Sequence, residues 1–76
     1  MNITKRQARL MLTALHQATE YTLTIIDSFI DPDTLTGKER ILPGYAEDVR
    51  YWRNKLKAYA RLQRSIYEAH PTLRNE

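Results

Sequence analysis

The sequence predicts an all-α fold, an antiparallel two-helix hairpin, and three observations lead there. Apolar residues recur at spacings of three and four over two long stretches, about 4–30 and 45–70. Proline and glycine gather between those stretches, at Pro32, Gly37, Pro43 and Gly44. The two stretches match in length, about 26 residues or roughly 39 Å each at 1.5 Å per residue, which suits helices lying side by side.

The first helix opens at Thr4. Gln7 stands three residues on, the capping-box spacing, in which each side chain satisfies a free backbone N–H at the helix start. Ile3 and Ala8 supply a weak hydrophobic staple. From there Ala8, Met11, Leu15, Ala18, Thr22, Ile25 and Phe29 alternate three and four apart, a heptad seam. A second row, Leu12, Thr19, Leu23, Ile26 and Ile30, widens the apolar face. A face that broad suits more than one neighbour. The expected assembly is therefore a homodimer or higher oligomer completing a bundle, with Leu12, Leu23, Ile26 and Ile30 at the interface. One segment conflicts. Tyr21 to Ile26 reads YTLTII, whose β-branched residues and period-two alternation also suit a strand, which would pair with 39–42 to give an α-β-β-α order. The unbroken heptad seam favours helix.

Asp31-Pro32 ends the first helix, because a residue before proline disfavours the α region. Residues 31–44 form a long connecting loop whose Leu35, Ile41 and Leu42 should fold back over the end of the helix pair. The second helix starts near Tyr45, carries Glu47 and Asp48 where the helix dipole favours negative charge, and stops near His70 before Pro71. Residues 72–76 read as a flexible tail. The chain, 1–76, is thus one helical-hairpin domain.

Composition narrows the function. With 76 residues and no cysteine, disulfides and thiolate metal sites are excluded, which leaves self-association as the expected reinforcement of a thin core. A net charge of +3 permits an acidic partner. The apolar runs are too short to span a membrane. The first residues lack the apolar core and small-residue cleavage site of a signal peptide. A cytoplasmic location and no membrane partner are expected.

The second helix has a cationic outer face. Arg50, Arg53, Asn54, Lys57, Arg61 and Arg64 fall in a sector about 100° wide, opposite Val49, Trp52, Leu56, Tyr59 and Ile66. Arginine forks onto carboxylates and phosphates alike. Tyr51, off the seam, suits stacking on a base or anchoring a protein interface. The site expected is therefore Arg50, Tyr51, Arg53, Asn54, Lys57, Arg61 and Arg64. Secondary anion contacts are expected at Lys5, Arg6, Arg9, Lys38 and Arg40. An acidic protein surface is the favoured partner, RNA or DNA the alternative. A nucleotide-sequestering oligomer using the 31–44 connection with Lys38 or Arg40 is a further one.

The residues give little for catalysis. Ser28 and Ser65 have no histidine partner in view, and a helix pair offers little concave volume. His16 and Glu20 stand four apart and could share a metal ion, but a surface hydrogen bond explains the spacing more simply. The carboxylates Asp27, Asp31, Asp33, Glu47 and Asp48 near the connection are explained by helix ends and turns. His70 is placed to meet the last carbonyls of its helix. No catalytic residue, metal or cofactor is expected.

The architecture resembles the small plasmid copy-control proteins that pair as helical hairpins and bind RNA hairpins, with local likeness confined to Thr4-Lys5 and Thr22-Leu23-Thr24. In that family the RNA-facing residues lie on the first helix, whereas the cationic stripe here lies on the second. A stoichiometric regulator or inhibitor of phage, plasmid or other accessory origin is the type of product that fits.

Overall fold

The computed structural model describes residues 2–32 and 39–75. Two α-helices of 24 residues, α1 (Lys5–Ser28) and α2 (Ala46–Ala69), pack against each other as the predicted hairpin. Between them a short ribbon joins β1 (Ile30–Pro32) to β2 (Glu39–Ile41), antiparallel, with Ile30 opposite Ile41, Asp31 opposite Arg40 and Pro32 opposite Glu39. A 3-10 helix, Pro71–Asn75, follows α2. The body measures 47 × 23 × 16 Å.

Helix α1 begins as its sequence dictates. The Gln7 amide donates to Thr4 Oγ1 at 3.1 Å, and the Thr4 amide donates to Gln7 Oε1 at 2.9 Å. The YTLTII segment is helical. Its threonines do not draw it into a strand, because each hydroxyl finds an acceptor one turn back. Thr22 Oγ1 donates to the Ala18 carbonyl at 2.7 Å, and Thr24 Oγ1 to the Glu20 carbonyl at 3.1 Å. Thr22 is buried, so that bond is needed.

The α-β-β-α order considered from the sequence does occur, on different residues. Strand β1 starts at Ile30, after α1 has ended, and uses only the Glu39–Ile41 half of the expected pairing. The Leu42 amide donates to the Phe29 carbonyl at 2.8 Å, which continues the ribbon up to the helix end. The part of the connection that includes Asp33, Leu35, Gly37 and Lys38 lies outside the described residues.

The chain then turns on Leu42-Pro43-Gly44-Tyr45. The Tyr45 amide donates to the Leu42 carbonyl at 3.2 Å, and Gly44 has φ +87°. Proline second and a positive-φ residue third is the type II arrangement. Nothing lies within 4 Å of where a Gly44 Cβ would sit, so conformation alone selects glycine there. The turn sets Tyr45 on Phe29, rings stacked with centroids 4.9 Å apart.

The interior is small and lies at the two ends of the hairpin. Near the ribbon, Thr22, Ile26 and Val49 are buried. At the far end Ala8, Ile66 and Leu73 form a buried cluster, flanked by Ile3, Met11, Leu12, Leu15, Leu62 and Tyr67. Residues 72–75 are therefore not a flexible tail: the 3-10 helix seats Leu73, 5% exposed, against α1 and α2. His70 also departs from expectation. Its ring does not meet the carbonyls of its own helix, and Nε2 hydrogen-bonds the Ile3 carbonyl at 2.9 Å, tying the first described residues to the last turn.

Two substitutions test this account. Leu73→Ala should destabilise by about 2 kcal/mol, lowering the melting temperature by roughly 10 °C in a thermal melt followed by circular dichroism. Loss of a frayed tail residue would leave the melt unchanged. Gly44→Ala, which touches nothing, should still cost about 1 kcal/mol in urea unfolding.

Candidate functional site

Helix α2 is oriented by its inner side. Val49 and Ile66 are buried and Trp52, Leu56, Tyr59, Leu62 and Tyr67 half-buried. That fixes the rotation of the helix and leaves Arg50, Arg53, Asn54, Lys57, Arg61 and Arg64 all exposed. None of these five cations is in an ion pair with a described residue. The ion pairs seen, His16–Glu20 at 3.2 Å and Arg40–Asp31 at 3.6 Å, lie elsewhere. The cations therefore stand on the surface with none held in a direct ion pair among the described residues, although Glu68 lies beside Arg64.

The row is divided in two by the surface beneath it. Its first part, Arg50, Arg53, Asn54 and Lys57, lines a shallow groove of about 300 Å³ together with Ile41, Ala46 and Val49. The ribbon makes this groove by laying Ile41 beside the first turns of α2. Arg64 lines a second concavity of about 360 Å³ with Tyr67, Glu68, Pro71 and Arg74. There the Arg74 guanidinium stands 5.2 Å from the centre of the Tyr67 ring, a cation–π contact. Arg61 lines neither.

Tyr51 belongs to a different cluster. It meets Trp52 edge-on with centroids 5.2 Å apart, and the Lys55 ammonium stands 5.4 Å from its ring centre. It does not line the groove. Ala46 and Arg74 were not singled out from the sequence, and Ile41 was read there only as part of the cover over the end of the helix pair, not as a site residue. Ile41 is brought to α2 by strand pairing, and Arg74 to Tyr67 by the 3-10 helix, so neither leaves a local periodic signal.

The secondary anion contacts fare unevenly. Lys5, Arg6 and Arg9 are exposed on the first turns of α1. The capping box there already engages two of the backbone amides an anion would use. Arg40 pairs across the ribbon with Asp31. Lys38 lies outside the described residues, so a nucleotide site built on it and Arg40 has only an engaged arginine in view.

The four residues expected at an oligomer interface do not form one open face. Ile26 is buried inside the hairpin at 5% exposure, and Leu12 packs on the Ala8–Ile66–Leu73 cluster. Ile30 is half-buried in the ribbon, and Leu23, 45% exposed, is the open member. His16 and Glu20 form the surface pair that their spacing suggested. Among the described residues no three His, Asp or Glu side chains group as a metal site, and no helix is long and apolar enough to cross a membrane.

No protein-family model matches the chain, and neither curated proteins nor solved structures show a significant match to it.

Because none of the five cations of the row is in an ion pair with a described residue, reversing one should cost little stability. Arg53→Glu should shift the unfolding free energy by less than about 0.5 kcal/mol, measured by urea denaturation. A loss several times larger would mean that Arg53 holds the fold together.

Proposed function

We propose that the chain is a non-catalytic binding module that takes an acidic segment of another protein against the first half of α2 and acts stoichiometrically, as a regulator or inhibitor. The groove formed by Ile41, Ala46 and Val49 beneath Arg50, Arg53, Asn54 and Lys57 carries this reading. Apolar side chains ringed by unpaired cations match a segment that offers one apolar anchor flanked by carboxylates. Such an anchor releases water from the apolar surface, while the arginine forks orient the acidic groups. A phosphate backbone would make no use of Ile41.

A second reading, binding of RNA or DNA, is favoured by the length of the row. The cations continue beyond the groove through Arg61 to Arg64, so the stripe runs roughly 21 Å along the helix at 1.5 Å per residue. In either case we place the module in a homodimer or larger assembly, because a hairpin 16 Å across its thinnest dimension is a single layer of helices.

Titration of labelled peptides that carry one leucine or phenylalanine among glutamates, beside a single-stranded RNA and a DNA duplex, separates the readings. The protein-binding reading expects peptide binding weakened roughly tenfold or more by Arg53→Ala. Ile41→Ala should weaken it by a similar factor, and Arg61→Ala much less. Nucleic-acid affinity that falls steeply with salt, equally sensitive to Arg53→Ala and Arg61→Ala and indifferent to Ile41→Ala, would replace it with the second reading.

A further inference from the structure

Helix α1 carries a second heptad seam that the hairpin leaves uncovered. Leu10, Ala14, Gln17, Tyr21, Thr24 and Ser28 follow at steps of four, three, four, three and four, and all six are exposed. Leu10 and Tyr21 are the two most exposed of the large apolar side chains, at 65% and 68%. The row carries no charge. Between Leu10 and Ser28 the acidic and basic side chains, His16, Glu20 and Asp27, fall in a sector about 40° wide, turned roughly 100° from the seam. Exposed Arg6 stands on the same face one turn earlier, so the charge-free strip runs from Leu10 to Ser28, about five turns of the helix, and it calls for a partner that is uncharged in the same places.

We infer that this seam receives the same seam of a second copy, around a two-fold axis with the two α1 helices antiparallel. The inference rests on the self-association proposed above and names its surface. Three observations select a copy of this chain. The first is area: the accessible surface is 6114 Å² for 9.0 kDa, whereas a folded monomer of that mass exposes about 4,850 Å². The excess, roughly 1,250 Å², is spread over the whole elongated body, and it leaves room for the ~800 Å² each partner contributes to a standard stable interface. The second is charge. Two copies meeting through the face of α2 would set one row of five cations against another, whereas the α1 seam meets itself with no like charges opposed.

The third is shape. In the antiparallel register whose dyad lies midway between Gln17 and Tyr21, Leu10 faces Ser28, Ala14 faces Thr24, and Gln17 faces Tyr21. Each large side chain then meets a small or polar one, which lets the helices approach closely. The Tyr21 hydroxyl and the Gln17 amide can satisfy each other at the centre. The four helices so assembled leave the cationic faces of both α2 helices open to solvent.

Sedimentation equilibrium of the full chain, with three single variants and one double variant, tests the interface. The wild type should run at twice the 9.0 kDa chain mass. Tyr21→Glu and Leu10→Glu should each weaken association by roughly 100-fold or more and leave the helical circular dichroism unchanged, since both side chains are exposed. Ala14→Cys combined with Thr24→Cys should give a covalent dimer on a non-reducing gel. Within one helix those positions stand about 15 Å apart, too far for a disulfide inside the chain. A wild type that runs at the single-chain mass at its highest soluble concentration would overturn both the seam and self-association. A dimer that survives Tyr21→Glu and Leu10→Glu but dissociates with Leu23→Glu would overturn the seam alone.

Discussion

The packing of Ala8, Ile66 and Leu73 closes the open end of the hairpin, and the rest of the chain depends on it. Two helices side by side can each bury only one stripe, so their ends are where the apolar contact is most easily lost to water. This chain answers with extra elements at both ends. The 3-10 helix brings Leu73 beneath α1, while His70 reaches the Ile3 carbonyl. At the other end, beyond buried Ile26, the ribbon and the Phe29–Tyr45 stack close the chain. With so few fully buried side chains, the loss of one large one would remove a substantial share of a stability that is small in any domain of this size.

The helices and the N-cap of α1 were legible because their signals are local. A capping box needs only Thr4 and Gln7, and a heptad seam only a repeated spacing. The helical outcome at YTLTII followed from the same seam, with the hydroxyls satisfied by their own helix. The ribbon was only half legible. Glu39–Ile41 was identified as a strand partner, but the strand it pairs with begins at Ile30, where the residues after a helix carry no alternation of their own. The seating of Leu73 was not legible at all. One leucine beyond a proline has no period, and its burial depends on α1 residues such as Ala8, far away in the sequence, as well as on Ile66.

The candidate site divides in the same manner. Exposure of Arg50, Arg53, Asn54, Lys57, Arg61 and Arg64 followed from the helical wheel. The groove did not, because its apolar wall includes Ile41 from β2. Tyr51 looked like a natural companion of the arginines in sequence, yet it turns toward Trp52 and Lys55. Of the apolar rows of α1, Ile26 is buried within the hairpin and Leu12 packs on the Ala8–Ile66–Leu73 cluster. The charge-free strip left outward is made largely of alanine, glutamine, threonine and serine. Hydrophobicity does not flag such a strip; only its lack of charge does.

The hydrogen bond between His70 and Ile3 has a practical consequence for geometry. It draws the first and last turns of the hairpin to one pole, whereas the groove under Arg53 lies toward the other, roughly 25 Å away along the helix at 1.5 Å per residue. A fluorophore, affinity handle or second protein fused ahead of Ile3 or behind Asn75 would project from the pole opposite the groove. Immobilisation through either end would thus present the arginines outward, away from the support.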